Sequence, residues 1–209
     1  MIGFYWWAAA TTRRLAHLLG NVVVTGLDNL PVSGGVIVTP NHLHFADPPV
    51  ISAFLPRKIH FMVKQEAWDE PMLGLLPKWF EAFPVRRGAI DQVAFRAALQ
   101  ILADGGIVGV FPEGHRSKDG RLQDGRPGAL VLARRSGAPI VPIGISGVRE
   151  VMSFPGVLQR HSVRITVGEP YHPVKHHAGE SAESTADLMN RIARLLPPEH
   201  RQPPILVPD

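Results

Sequence analysis

The stretch GVIVTPNHLHFADPPVISAFL, residues 35–55, runs from an apolar segment through a polar loop into a second apolar segment. GVIVTP (35–40) is continuously apolar, which is typical of a strand covered on both faces. The second segment begins with Asp47 and two prolines, a common helix start because aspartate caps and proline fits the first helical position. Between them an asparagine, two histidines and an aspartate fall within positions 41–47. We therefore predict a strand, a polar loop and a helix in succession.

The same alternation continues along the chain. Short runs rich in β-branched residues predict six further strands, at 21–26, 58–63, 81–85, 106–111, 138–145 and 161–168. Helical patterns fall at about 48–55, 71–79, 89–103, 127–136 and 184–196. Alternating strands and helices predict a single α/β domain with a mainly parallel central sheet flanked by helices. In such sheets ligands gather at the carboxyl ends of the strands, and we expect the functional site there.

The composition fits a folded globular protein and narrows its chemistry. The chain has 209 residues, of which 45% are hydrophobic and 19% charged. It contains no cysteine, which excludes disulfides, thiolate metal sites and a cysteine nucleophile. The formal charge is +4, and 17 of the 22 basic residues are arginine. This excess fits an anionic membrane surface, a phosphorylated substrate or simply a solvated basic surface, and no basic run with interleaved aromatic residues indicates nucleic-acid binding.

The first twenty residues predict an N-terminal amphipathic helix. No apolar run reaches the roughly 18–20 residues of a membrane span, and the positive charge follows the apolar part, unlike in a secretory signal. A helix puts seven residues on one broad side: Phe4, Trp7, Ala8, Thr11, Leu15, Leu18 and Leu19. Such a helix can lie in a bilayer interface, with Trp6 and Trp7 at headgroup level, or pack on the core as an ordinary terminal helix. We predict an interfacial helix at 1–20, a main domain at 21–198 and an extended proline-rich tail at 199–209.

The loop at 41–47 offers a histidine–carboxylate pair. His42 and Asp47 are five positions apart and converge only if the chain turns between them, which a strand-to-helix loop permits. A carboxylate that holds one ring nitrogen fixes the tautomer and leaves the other nitrogen as a base. With no serine in this loop and no cysteine in the chain, the pair suits direct deprotonation of a substrate hydroxyl. The simpler interpretation is that Asp47 only caps the following helix.

Three further polar segments end or follow predicted strands. FPVRRG (83–88) closes a short strand with two arginines, of which only one is expected to enter a site because neighbours on a strand point to opposite faces. FPEGHRSKDG (111–120) crowds polar side chains around a glycine-bearing turn, which suits a phosphate seat or an ordinary polar turn. VPIGI (141–145) contains Pro142, which removes a ladder donor and indicates a bend, a sheet boundary or an edge strand.

In their order and spacing, these four blocks resemble those of the glycerolipid acyltransferases of the lysophosphatidic acid acyltransferase (PlsC-like) superfamily. The family blocks N-H-x-x-x-x-D, F-x-V-x-R, F-P-E-G-x-R-S and V-P-I/V read here NHLHFAD, FPVRRG, FPEGHRS and VPIGI. The resemblance runs from about residue 22 to 197. It implies that the main domain is an acyltransferase domain.

The resemblance also implies roles for matching residues. His42 is the expected general base and Asp47 its orienting partner. Seven further residues are expected to bind the substrates: Arg87, Glu113, Gly114, Arg116 and Ser117 at the acceptor, Lys64 as an additional phosphate contact, and Pro142 at the acyl-donor side.

The implied reaction moves an acyl group from acyl-CoA or acyl-carrier protein to the hydroxyl of a lysophospholipid, without metal, cofactor or covalent intermediate. The first choice of acceptor is 1-acylglycerol-3-phosphate, giving phosphatidic acid; glycerol-3-phosphate, another lysophospholipid or a specialised polar lipid stay open. We expect a peripheral position on the cytoplasmic face of a membrane.

Two positions depart from the family pattern, and two other functions stay open. His115 stands where threonine or another small residue is common, and Arg86 where aspartate is common, so the site is more positive. A metal-dependent hydrolase using His42, His44 and Asp47 is one alternative, because HLHFAD is similar to a zinc-binding H-x-H-x-D-H pattern. The other is a non-catalytic, membrane-associated lipid-binding module.

Overall fold

The core of the molecule is one seven-stranded sheet. The computed structural model describes residues 3–71, 74–86, 91–153, 161–173 and 184–201. Strand order across the sheet is β1-β7-β6-β2-β5-β3-β4. The strands are β1 (Asn21–Thr25), β2 (Val36–Pro40), β3 (Ile59–Lys64), β4 (Phe83–Val85), β5 (Ile107–Gly109), β6 (Ile140–Ser146) and β7 (Ser162–Val167). All seven predicted strands are therefore confirmed.

The strand pairing confirms a mainly parallel sheet. Every neighbouring pair is parallel except β6 and β7, which run antiparallel. Each residue of β2 and β6 is buried. Covered on both faces, these strands have no place for the polar residues that alternate along a half-exposed strand.

Helices cover both faces of the sheet. They are α1 (Phe4–Leu19), α2 (Asp47–Phe54), α3 (Gln65–Trp68), α4 (Leu75–Trp79), α5 (Gln92–Ala103), α6 (Gly128–Ser136), α7 (Val148–Val151) and α8 (Thr185–Arg194). The predictions for α2, α5, α6 and α8 hold to within about three residues at each end, whereas α4 is shorter than the predicted 71–79. The four-residue helices α3 and α7 were not predicted, because so short a segment shows no helical period.

Neighbouring residues of the central strands feed two separate cores. Val36 and Val38 of β2 pack with α2 and α7 residues on one face, while Ile37 packs with α5, α6 and α8 residues on the other. Side chains alternate across a strand, so a continuously apolar strand supplies both layers. This three-layer arrangement leaves the ends of the strands, and not their faces, open for function.

Helix α1 packs on the core with one face and exposes apolar residues on another. Tyr5, Ala8 and Ala9 are buried against α2 and Phe80, and Arg13 donates from Nε to the Ala53 carbonyl at 2.8 Å. The predicted alternative of a packed terminal helix is therefore correct for this face. The opposite face exposes four of the seven residues predicted for one side: Phe4, Trp7, Leu15 and Leu18. In the described part of the chain, no helix has the length and apolar character needed to cross a membrane.

Candidate active site

The predicted polar loops meet at one edge of the sheet. β2, β5, β3 and β4 are consecutive and parallel, so their carboxyl ends lie side by side. The loop with His42 follows β2, and the loop with Glu113 follows β5. Lys64 ends β3, and Arg86 follows β4. Strand order thus gathers segments that are far apart in the chain.

His42 and Asp47 form the predicted pair. The His42 Nδ1 lies 3.0 Å from Asp47 Oδ2, and the two side chains are 16% and 0% exposed, respectively. An ionised carboxylate only accepts hydrogen bonds, so Nδ1 carries the proton and donates it. In the neutral ring this tautomer leaves Nε2 of His42 without a proton.

Asp47 does not cap α2 as the sequence pattern suggested. Its Oδ2 turns back and accepts the amides of Leu43 and His44, each at 2.7 Å, in addition to the His42 ring. The physical reason lies in Pro48 and Pro49, which carry no amide hydrogen for a capping side chain to accept. The helix start therefore supplies a fixed carboxylate that shapes the loop ahead of it.

The loop after β5 holds the backbone of His42 on both sides. The His42 amide donates to Glu113 Oε1 at 2.6 Å, and the His42 carbonyl accepts the Ser117 amide at 2.8 Å. The imidazole stacks on Phe111, with ring centroids 4.0 Å apart. Backbone and ring are thus both fixed by residues 69 to 75 positions downstream.

Glu113, a predicted acceptor contact, is buried in this structure, and both of its carboxylate oxygens accept backbone amides. Its side chain is 1% exposed, and its second oxygen, Oε2, accepts the Gln123 amide at 2.9 Å. Burial raises the pKa of Glu113 from 4.5 to about 7, although the two backbone hydrogen bonds oppose that rise. The carboxyl group joins two loops through their main chains.

The other predicted residues of this loop divide into inner and outer positions. Gly114 has φ +72°, and a Cβ there would lie 2.9 Å from Arg126 Nε, so the turn requires glycine. Ser117 is buried and donates its hydroxyl to Asp119 at 2.8 Å, so it too faces protein atoms. Arg116 and His115 are exposed. Of the predicted acceptor contacts in this loop, Arg116 is the one exposed to solvent.

Pro142 lies inside the sheet, which rules out the edge-strand interpretation. β6 lies between β2 and β7, and its antiparallel pairing with β7 begins at Ile143. The Pro142 carbonyl accepts the Gly168 amide at 2.9 Å, just beyond the end of β7. Within a strand, N–H and C=O of one residue point to the same side, so the missing donor falls at the end of the β6–β7 ladder.

Asn41 connects the loop of His42 to β6 and was not among the predicted site residues. Its buried side chain donates to the Ile145 carbonyl at 2.9 Å and accepts the Ile145 amide at 2.7 Å. This double contact fixes the residue directly before His42. The only signal in the sequence was its position at the start of the polar block.

The residues predicted on the β3–β4 side are partly described. Lys64 pairs with Glu66 at 3.0 Å and is half-exposed. The Arg86 amide donates to Asp91, which also caps α5 through the amides of Val93 and Ala94. Arg87, the predicted arginine of the second block, lies outside the described residues.

His44 lies beside the pair, but its surroundings do not favour a metal. Burial lowers its pKa, and the charges of Arg116, His42 and Arg149 lower it further against the opposing effect of Asp47. Its Nδ1 accepts the Ala46 amide at 3.3 Å. Within the described ranges, no three His, Asp or Glu side chains are grouped to hold a metal ion. The hydrolase alternative therefore gains no support from the geometry.

Comparison with known proteins agrees with this fold. The sequence profile of the Acyltransferase family matches residues 21–146. The chain is 30% identical over 170 residues to a 1-acyl-sn-glycerol-3-phosphate acyltransferase of Bacillus subtilis (strain 168), covering 80% of this chain and 82% of that protein. It is 29% identical over 179 residues to the chloroplastic 1-acyl-sn-glycerol-3-phosphate acyltransferase BAT2 of Brassica napus, of which it spans 51%.

A solved structure extends the comparison to the coordinates. The crystal structure of the 1-acyl-sn-glycerophosphate (LPA) acyltransferase PlsC from Thermotoga maritima aligns with a TM-score of 0.69 and 26% identity, covering 91% of this chain and 76% of that one. The chain belongs to the acyltransferase family. Within that family it is a PlsC-like glycerolipid acyltransferase.

Proposed function

We propose that this protein transfers a fatty acyl group from acyl-CoA or acyl-carrier protein to the free hydroxyl of 1-acylglycerol-3-phosphate, giving phosphatidic acid. The names of its relatives in Bacillus subtilis and Thermotoga maritima support this acceptor. The basic residues near the carboxyl ends of β3, β4 and β5 suit a phosphate-bearing lipid. The observation that carries the proposal is the fixed His42–Asp47 pair.

In the proposed reaction His42 acts as the general base. Its Nε2 takes the proton of the acceptor hydroxyl while the hydroxyl oxygen attacks the thioester carbon. The carbon–sulfur bond breaks, and the leaving thiolate takes a proton from the imidazolium. Asp47 keeps the tautomer and stabilises the positive ring, since it accepts from Nδ1 throughout. The chain needs no covalent acyl-enzyme, consistent with its lack of cysteine.

The proposed reaction also needs no metal or cofactor. Activity that survives dialysis against a chelator would agree with this; activity that is lost and returns with zinc would contradict it.

We further propose a peripheral position on the cytoplasmic face of a membrane, with α1 in the lipid interface. Trp7 and Leu18 are 57% and 70% exposed, and both belong to the apolar stripe of that helix. Exposed aromatic and aliphatic side chains on an amphipathic helix suit insertion at headgroup depth.

Replacement of the base is the direct test of the proposed function. Release of free thiol from acyl-CoA is measured with and without lysophosphatidic acid, for His42→Ala and for the control His172→Ala. His172 is exposed and follows Tyr171, which forms a β-bridge with Ile140. Ile140 is the first residue of β6, so this position lies at the amino ends of the strands, away from His42. We expect His42→Ala to lose about 10²- to 10⁴-fold in kcat, with the control unchanged. Equal kcat values for the two variants would remove His42 from the mechanism.

The substrates are identified by a second experiment. The purified protein is incubated with a panel of lyso-acceptors and glycerol-3-phosphate. Each acceptor is combined with acyl-CoAs of graded chain length or with acyl-carrier protein, and the products are identified by mass spectrometry. Turnover confined to acceptors other than 1-acylglycerol-3-phosphate would keep the transferase and replace the acceptor. Lipid binding without thiol release would instead favour the non-catalytic module.

A further inference from the structure

A basic cleft beside His42 contains, besides the predicted acceptor contact Arg116, a lysine to which no role has been assigned, Lys118. The cleft has a volume of about 480 Å³ and is lined by His115, Arg116, Lys118, Asp119 and Gln123. It lies close to the base, because the amide of Ser117, between two lining residues, donates to the His42 carbonyl at 2.8 Å.

Arg149 approaches this cluster from the segment that follows a different strand. It lies in α7, directly after β6, and its Nη1 donates to the Lys118 carbonyl at 3.4 Å. The same nitrogen lies 3.5 Å from where a Cβ on Gly120 would stand. β5 and β6 are the two neighbours of β2, so the cluster spans the end of the strand that delivers His42.

The cations of the cluster have no acidic partner in the described part of the chain. The ion pairs there involve His42, Lys58 and Lys64, and none includes Arg116, Lys118 or Arg149. The acid of the cleft, Asp119, is already engaged, since its Oδ1 accepts from the Ser117 hydroxyl, the Arg121 amide and Gln123 Nε2. Three cations therefore lie around a single carboxylate, one oxygen of which already accepts three hydrogen bonds.

We propose that Arg149 and Lys118 complete, with Arg116, a phosphate-binding subsite over the end of β2. Arginine offers paired donors that match phosphate oxygens, and lysine adds a compact charge. The subsite is distinct from Lys64 and Arg86, which lie at the ends of β3 and β4. The bound phosphate is that of the acceptor headgroup or that of the donor's CoA or carrier group. This inference rests on the proposed function for the source of the phosphate, but not for the presence of the subsite.

Binding of inorganic pyrophosphate to the full chain tests the subsite without reference to activity. Isothermal titration compares the wild type, Arg149→Ala, Lys118→Ala, Arg149→Lys and Arg135→Ala, the last an exposed arginine at the end of α6 that lies with Gly35 at the amino end of β2. We expect affinity to fall about 5- to 10-fold for Arg149→Ala and Lys118→Ala, to fall less for Arg149→Lys and to stay unchanged for Arg135→Ala. No binding by the wild type, or equal affinities for Arg149→Ala and Arg135→Ala, would overturn the subsite.

Kinetics then identify the source of the phosphate. If the subsite holds the acceptor, Arg149→Ala raises KM about 5- to 10-fold for lysophosphatidic acid but leaves KM for monoacylglycerol, which lacks the phosphate, unchanged. If it holds the donor, KM rises for acyl-CoA and stays unchanged for an acyl thioester of N-acetylcysteamine. In both cases kcat changes less than about twofold, because the cluster lies beside the base and does not exchange its proton. Unchanged KM values for both substrates would exclude a role of the subsite in acyl transfer. An inactive wild type would refute the proposed function, while the pyrophosphate titration would still decide whether the subsite exists.

Discussion

Replacing Glu113 with glutamine tests whether a buried carboxyl group holds the loop of His42 in place. Glutamine keeps the shape of the side chain but has one acceptor oxygen where glutamate has two. In the wild type Oε1 accepts the His42 amide and Oε2 accepts the Gln123 amide. In Glu113→Gln one of these amides faces an NH₂ group, which costs about 1–3 kcal/mol relative to an accepting oxygen.

The second effect of the substitution depends on pH, and its sign follows from the pKa. Burial raises the pKa of Glu113 from 4.5 in the unfolded chain to about 7 in the folded protein. The folded state therefore holds the proton more tightly. The resulting stabilisation is complete below pH 4.5 and is lost as the pH rises through 7. A shift of this size corresponds to about 3 kcal/mol in total, of which about 2 kcal/mol falls between pH 5.5 and 8.

Urea unfolding of the wild type and Glu113→Gln at several pH values isolates this effect. All other titrating groups are shared, so they cancel in the difference between the two free energies of unfolding. We expect that difference, wild type minus variant, to fall by about 2 kcal/mol from pH 5.5 to 8. Asp119→Asn is the control: hydrogen bonds lower the pKa of Asp119, so its difference stays flat over this range.

The outcome shows whether burial or the two backbone hydrogen bonds has the larger effect on the pKa of Glu113. A flat difference for Glu113→Gln would mean that the two amide bonds offset the burial of the charge. A difference that rises with pH would mean that they outweigh it. Either result would refute the raised pKa.

The same variant separates a positioning role from a substrate contact. If Glu113 acts through the His42 backbone, Glu113→Gln lowers kcat and leaves KM for the acceptor unchanged. A rise in KM with kcat preserved would return Glu113 to the acceptor site that the family resemblance implies.

Two further predictions concern the pair and the membrane. Asp47→Asn keeps an oxygen for the loop amides but removes the charge that stabilises protonated His42, so kcat should fall by about 10²-fold. An unchanged kcat would show that the carboxylate is only structural. The double variant Trp7→Ala/Leu18→Ala should reduce the fraction of protein that sediments with anionic vesicles. The control Val93→Ala, at an exposed apolar site on α5, should leave that fraction unchanged. Equal sedimentation of the wild type and both variants would exclude α1 as the lipid contact.

Much of the fold was predictable because its signals are local. The strands β2 and β6 are buried along their whole length, and their apolar sequences predict that burial directly. The partnership of His42 with Asp47 was also predictable, because only four residues separate them where a strand is followed by a helix. Conversely, α3 and α7 have four residues each, which is too short for a period to appear.

The roles within the loop after β5 were much less accessible. Glu113, Arg116 and Ser117 are alike in the sequence as polar residues in a glycine-bearing turn. In the structure Glu113 and Ser117 bond to protein atoms, whereas Arg116 is exposed. The direction of a side chain in a turn depends on the neighbouring segments, and these come from elsewhere in the chain.

The sequence by itself determined the alternation of strands and helices, the polar loops at the strand ends and the family to which the blocks belong. Only the tertiary structure decided that β5 and β6 flank β2, which brings Glu113 and Arg149 to the loop of His42. It also decided that Asn41 and Glu113 bind backbone amides of distant segments. Every residue except proline carries such an amide, so these contacts leave no mark on the identity of the partner residue, and only the folded chain reveals them.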